Sequence, residues 1–416
     1  MKNKYPLEGI KVANFSWIGV GPMTMRYLAH WGATVVRVES HLRLDNARVF
    51  LPFKDGIPGI NRSGMYAAIN NSVLGITINM NKPTGLGIAW RLIKWADVVA
   101  ESFTPGTMKK WGLDYESVKK VKPEIIYFST TQNGQTGPLS SVAGFGIQGM
   151  AVAGFTNISG WPDHDPAPTQ GAYTDYISPR FAAAAILAAL DRRRRTGKGQ
   201  HIDQAQFETG IQFLAPMIMD YTVNGRVMTR NGNRIPSAAP HGVYPCKGDD
   251  RWCAICIASD RDWLAFRVTA GNPTWTGDSK FSTLAGRKQN EDELDSLVAG
   301  WTAEYTAEQV EAMMQAAGIA AGVVESNKDL YQDAHLKEQG FFRPLQHSEL
   351  GPISIQGPHF TLSKSPDHQF APPCMGEHNE YVFKEVLGMS EDDISDAFAD
   401  GGITTDADLP EIRAAF

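Results

Sequence analysis

Short apolar runs alternate with longer, helix-spaced stretches through the first half of the chain. Residues 10–15 predict a strand, 22–31 a helix stopped by Gly32, and 34–39 a valine-rich second strand. Residues 76–80 predict a third strand, 84–94 a helix, 98–101 a fourth strand and 125–130 a fifth. Strands alternating with helices imply an α/β unit with a mostly parallel sheet covered on both faces, Rossmann-like in its first unit. An Ala-rich apolar run at 181–190 predicts a long helix, ending in Arg192 to Arg195 where positive charge suits the helix dipole. A Thr-Gly-Lys-Gly turn and a strand at 201–203 follow, so this basic run reads as a solvated helix end.

The pattern changes between about 224 and 240, where Asn-Gly-Asn, Pro236 and Pro240 mark a loop. Strands at 242–245 and 252–257 and a helix at 306–317 then predict a smaller α+β domain. A further shift near 329–342 leads to a tail with a helix around 380–387. The expected division is 1–223 for the first part of a large domain, 224–330 for linker and small domain, and 331–416 for a C-terminal segment.

A length of 416 residues is too great for one simple core and fits two domains. Hydrophobic residues at 43% and charged residues at 20% are ordinary for a globular protein. A net charge of −6 argues against a broad nucleic-acid surface but leaves room for a small basic pocket. No apolar signal region opens the chain, and no apolar segment reaches the ~18–20 residues that span a membrane. Four cysteines make no disulfide framework, so a cytoplasmic protein is expected. Cys253 and Cys256 stand three apart in a strand and face opposite ways, which disfavours a shared metal.

The chemistry centres on Asp175, just ahead of the long helix. Helix N-terminal N–H groups can hold an ionised carboxylate there, suiting it to act as a nucleophile. A simple N-cap is the alternative reading. Gly19-Val20-Gly21-Pro22-Met23-Thr24 after the first strand is close to a dinucleotide fingerprint, with Glu39 at the usual distance for a ribose-binding acid. Thr24 in place of the third glycine, and Pro22 without an N–H, count against an NAD-dependent oxidoreductase.

Several stretches occur in a shared order: Leu7 to Val12, Gly21-Pro22, Leu28 to Glu39, Ala96 to Gly106, Gly134 to Pro138, Asp175 with its helix, Arg195 to Gln200 and Gly318 to Val324. Together they resemble the class III coenzyme A transferases, the family of formyl-CoA and carnitine CoA-transferases, over nearly the whole chain. The resemblance implies that Asp175 is the nucleophile, working through a mixed anhydride and an aspartyl-CoA thioester. It implies that Gly19 and Gly21 lie on a loop near the thioester. Asn231-Gly232-Asn233 would be a mobile glycine-containing loop that shields the intermediate. It places Ile18, Ile78 and Asn79 against the nucleotide and Ser102 and Phe103 at its adenine end, with Arg43, Lys82, Lys109 and Lys110 toward phosphates. It implies no permanently bound cofactor and no metal; the CoA thioester is a substrate. The partners would be an acyl-CoA donor and a carboxylic acid acceptor, with no nucleic acid or membrane. Ring-shaped protomers, each with a large domain built from both chain ends, would interlock as a homodimer or as a heterodimer with a homologous subunit.

The chain departs from the family pattern at three places. Ser102-Phe103-Thr104 replaces Asn-Phe-Arg, Asn70 to Gly75 replaces a basic run, and Gly146 stands where an acid often follows the aromatic Phe145. The related acyl-CoA racemases need proton-moving groups at Gly144-Phe145-Gly146, and none is present. Trp17, Phe145 and Trp161, with the space left by Gly146, suggest a bulky acceptor such as benzylsuccinate and succinyl-CoA as donor, close to benzylsuccinate CoA-transferase subunits. The lost charges also keep open a structural, weakly active subunit of a heteromeric transferase.

Overall fold

The apolar runs of the first half become one parallel sheet in a computed structural model that describes residues 4–169 and 171–409. Its strands are β1 (Lys11–Asn14), β2 (Thr34–Glu39), β3 (Leu74–Thr77), β4 (Val98–Glu101), β5 (Ile126–Thr131) and β6 (Gln200–Ala205). They run in the order β3-β2-β1-β4-β5-β6, every pair parallel. The chain builds outward from β1 to β3, then crosses back to set β4 on the other side of β1. Such a reversal opens a crevice at the carboxyl ends of the two inner strands. One face is sealed by Ile88, Leu92 and Ile93 of the Pro83–Trp95 helix with Val382 and Phe383 from the C-terminal segment. The other is sealed by Met25, Leu28 and Ala29 of the Val20–His30 helix and Ala182, Ile186 and Ala189 of the Tyr173–Thr196 helix. No described helix is long and apolar enough to cross a membrane.

Two compact units share the chain. The larger contains the chain through Thr156, Pro168–Val227 and the segment from Gln339 onward. The smaller contains Asn157–Ala167 and Met228–Glu338. In the smaller unit β7 (His241–Pro245), β8 (Trp252–Cys256) and β9 (Ala320–Val323) form an antiparallel sheet. Cys253 is buried there and Cys256 half-exposed, and both are free thiols. In the larger unit β10 (Phe342–His347) and β11 (Gly351–Gln356) form a hairpin that the sequence pattern did not reveal.

β3, the tail helix and the long helix differ from expectation in ways that bear on the site. β3 ends at Thr77 because the next backbone is taken over by the C-terminal segment: the Asn79 N–H donates to Gly402 O at 2.8 Å. The Thr77 hydroxyl likewise donates to Thr404 O at 2.8 Å. The tail helix is one turn, Asn379–Tyr381, continued by a wider turn over Val382–Val386. The long helix begins at Tyr173, so Asp175 lies inside its first turn rather than ahead of it.

A buried ionic network closes the carboxyl ends of β1 and β2. Arg48 grips Glu39 with two bonds of 2.7 Å, and Tyr66 donates to the same carboxylate at 2.9 Å. Arg37 pairs with Asp45, whose carboxylate also accepts the N–H groups of Ile18 and Ala47. Burial alone would raise the Glu39 carboxyl; Arg48 and Arg37 outweigh it and hold it down at about 2. Removing one partner of such a network strands the other charge in low dielectric, which costs about 3–5 kcal/mol. Arg48→Met is therefore expected to lower unfolding stability in urea by about that amount at neutral pH; a loss below about 1 kcal/mol would show that the network is not needed.

Candidate active site

Asp175 is held by the start of its helix. Gly171, at φ +80°, turns the chain, Ala172 occupies the cap position without a side-chain bond, and the Asp175 N–H bonds Ala172 O at 2.8 Å. The N-cap reading of Asp175 therefore fails: its carboxylate is free of capping work. Pro179, four residues on, has no N–H, so the Asp175 carbonyl lacks its usual helical donor.

The carboxylate lies against two glycines. A Cβ on Gly19 would stand 3.3 Å from Asp175 Oδ2, and one on Gly146 would stand 2.8 Å from Oδ1. Gly19 also has φ +80°, which an L side chain resists, and it caps the Val20–His30 helix. Three helix N-termini, those of Val20–His30 and Gly146–Val152 and its own, thus lie near the carboxylate and favour negative charge. Among the described residues no hydrogen bond or ion pair reaches it, and burial alone pushes its pKa up to about 6. The N–H cradle expected from sequence is not what surrounds it; it is an undersolvated carboxylate.

The crevice holds two adjoining pockets; Asp175 lines neither, and the second is bounded by Ile18, Val20 and Phe145, chain neighbours of Gly19 and Gly146. The first, outside β1 to β3, is lined by Trp17, Arg43, Ile78, Asn79, Phe103 and Trp111 among others. Trp17, Phe103 and Trp111 meet edge to face with ring centroids 5.6 Å apart at each step, and the Arg43 guanidinium lies 5.6 Å over Trp17. Such a wall suits a flat base, with a cation at hand for anionic groups. The second pocket, on the β4 side, is lined by Trp17, Ile18, Gly21, Ser102, Phe103, Gln132 and Phe145 among others. Trp17, Phe103 and Thr104 line both pockets, so the two adjoin at these residues.

Other sequence-selected residues lie elsewhere or have other work. Lys109 and Lys110 are exposed at the end of the short Thr107–Lys110 helix and line neither pocket. Lys82 faces Asp400 at 3.9 Å and also lines neither. The Ser102 hydroxyl donates to Trp17 O at 3.0 Å and accepts the Trp17 N–H at 2.9 Å, so it is a strut between β4 and the β1 loop. Ile78 is almost wholly buried, and the Asn79 amide donates to Gly401 O at 3.2 Å. Asn231, Gly232 and Asn233 belong to the smaller unit, where the Trp161 ring packs so closely on Gly232 that a Cβ would stand 2.4 Å away.

Sequence reasoning missed Trp111 and Gln132. With its amide oriented to satisfy both partners, Gln132 donates to Gly144 O at 3.1 Å and accepts the Gly149 N–H at 3.2 Å. It thereby clamps the segment that carries Phe145 and Gly146. Its place just past β5, at the carboxyl edge of the sheet, was the available signal. The nicotinamide alternative loses its acid: Glu39 is buried and bonded to Arg48 and Tyr66, so it is not presented to a ribose.

The profile of a family described as CoA-transferase family III matches residues 7–379. The chain is 32% identical over 391 residues to a succinyl-CoA–D-citramalate CoA-transferase of Chloroflexus aurantiacus, covering 94% of this chain and 96% of that one. It is 29% identical over 397 residues to the β subunit of a succinyl-CoA–L-malate CoA-transferase from the same organism, covering 94% and 96%. The crystal structure of a CaiB/BaiF family protein from Brucella suis superposes with a TM-score of 0.85 at 29% identity, over 92% of this chain and all of that one.

The raised pKa of Asp175 fixes a sign. The fold favours the protonated acid, so its contribution to stability is full below the ordinary value near 4 and is lost as pH rises through about 6. Asp175→Asn is therefore expected to be more stable than the parent above pH 6, by about 1–2 kcal/mol after allowance for its partial exposure. The two should converge near about pH 4 in urea unfolding. A parent that is the more stable at high pH would contradict this account.

Proposed function

The chain belongs to CoA-transferase family III, and on that premise we propose that it moves coenzyme A from an acyl-CoA to a carboxylic acid with Asp175 as nucleophile. The observation that carries this reading is the state of that carboxylate: unpaired, half-buried and set against Gly19 and Gly146. A poorly solvated carboxylate is the more reactive, and above pH 6 it is still mostly ionised. Attack on the donor thioester gives a mixed anhydride and the CoA thiolate. The thiolate attacks the Asp175 side of the anhydride, releasing the donor acid and leaving an aspartyl-CoA thioester. The acceptor carboxylate attacks that thioester to form a second anhydride, and the thiolate then takes the acceptor acyl group and frees Asp175. Each step places negative charge on an oxygen. The first N–H groups of the Val20–His30 helix, beside Gly19, have no partner within the helix and are suited to receive it.

The acceptor is proposed to be a dicarboxylic acid and the donor succinyl-CoA. The names of the two relatives support this, both being succinyl-CoA transferases to hydroxy-dicarboxylates. Trp17 and Phe145 on one pocket support a bulky member of that class, and benzylsuccinate remains the aromatic case to test. Incubation with succinyl-CoA and then hydroxylamine is expected to leave a hydroxamate on the peptide holding Asp175, read by mass spectrometry. Asp175→Ala should lose both the mark and transfer, and full activity in that variant would overturn the reading. Rates with D-citramalate, L-malate and benzylsuccinate then rank the acceptors.

An assembly of two chains is also proposed, as an interlocked pair. Phe181, Phe213, Met219 and Tyr221 are all exposed on the larger unit, with the Phe181 and Phe213 rings 6.0 Å apart. An apolar patch of this kind on a helical surface favours a protein partner. The relative named as a β subunit favours a second version, a heteromer. Sedimentation of the purified chain is expected to give a dimer with transfer activity. A monomer would rule out the self-paired form, and an inactive dimer would favour the heteromer.

A further inference from the structure

A buried carboxyl group at the crevice is left unused by the transfer chemistry. Glu101, the last residue of β4, is 3% exposed. Strand register sets it beside Ser129 on β5, and Ser129 beside Asp203 on β6. Its two oxygens serve different loops. Oε2 accepts the Phe103 N–H at 2.9 Å, and Oε1 accepts the Gln135 side-chain amide at 3.2 Å. The Gln135 backbone N–H is held in turn by both Asp203 oxygens at 3.0 Å.

One partner lines the cleft and the other belongs to the loop that borders it. Phe103 lines both pockets. Gln135 lies in the loop between Gln132 and Gly144, which line the second pocket. Asp203 is the charged group that acts on Glu101, and Ser129 is a further side-chain hydrogen-bond partner; His201 of β6 bonds Ser129 at 3.0 Å, and Glu101 in turn acts on Tyr127 of β5. No cation pairs with Glu101 among the described residues, and burial pushes its carboxyl up to about 7.

We propose that Glu101 is a positioning residue, fixing the Phe103 loop and the Gln135 loop in one register so that coenzyme A meets a cleft already shaped. The proposal rests on the CoA-transferase reading of the site. Glu101 acts through Phe103 and Gln135. Its carboxyl ties the loops by accepting these two bonds, with Ser129 as a further partner, so glutamine is a conservative replacement: its oxygen accepts from Phe103 and its N–H₂ donates to a turned Gln135 amide. A carboxylate at 135 faces the Glu101 carboxylate and breaks the tie wherever both are ionised.

The test is the affinity for free coenzyme A by calorimetry at about pH 8.5, above the range in which Glu101 takes a proton. Glu101→Gln is expected to stay within about twofold of the parent, Gln135→Glu to bind about tenfold more weakly, and the double variant to recover to within about threefold. Steady-state kinetics with succinyl-CoA should show the same pattern in KM, with kcat changed far less. The double variant separates a broken tie from a folding defect, since a chain merely damaged by Gln135→Glu would not be rescued by a second change. Equal affinity in Gln135→Glu and the parent, or no recovery in the double variant, would overturn the role of Glu101 while leaving Asp175 chemistry intact. Failure of the parent to bind coenzyme A would overturn both.

Discussion

The paired charges Arg37–Asp45 and Arg48–Glu39 are the constraint on which the site depends. Four ionised side chains are removed from water at one end of the sheet, and each is tolerated only because the others are in place. Asp45 uses its remaining capacity on the Ile18 N–H, one residue before Gly19. Ser102 fixes the Trp17 backbone from the other side. The loop between β1 and its helix is thus fastened at two consecutive residues, and Gly19 is delivered to Asp175. A glycine that must come so close to a carboxylate needs such fastening, because it has no side chain with which to hold itself.

Asp175 shows the opposite arrangement. Among the described residues its neighbours contribute shape and no partner, so the carboxylate keeps its charge at the expense of stability. The contrast with Glu39 is instructive. Burial acts on both acids, yet arginines hold one at about 2 while the other rises to about 6. The first is fixed as structure and the second left available for chemistry. Pro179 adds to this by denying the Asp175 carbonyl its helical donor.

Much of the architecture could be read from pattern alone. β4 falls where its apolar run lies, and β1, β2 and β5 within a residue or so, because buried parallel strands write nearly continuous apolar runs. β10 escaped because Pro344 interrupts its alternation. Asp175 was singled out by its place before an apolar helix, and Trp17, Arg43 and Phe103 do line the crevice. What sequence could not carry was the choice of partner over distance. Nothing local tells that Ser102 is occupied by Trp17, that Gln132 clamps Gly144, or that Lys82 turns to Asp400. Side-chain reach and long-range pairing are properties of the folded chain, and a residue type with the right charge does not disclose them.

The C-terminal return has a consequence for how the protein is made. Asn79, on a wall of the first pocket, is bonded through backbone and side chain to Gly402 and Gly401, while Thr77 and His41 bond Thr404. These partners are separated by more than three hundred residues, which a ribosome needs on the order of tens of seconds to add. Through that interval the sheet can assemble, but one wall of its ligand cleft has no backing. A nascent chain therefore lacks the Gly401–Thr404 support of this pocket until that segment emerges, and a protease that clips near Gly401 would cut into the same support.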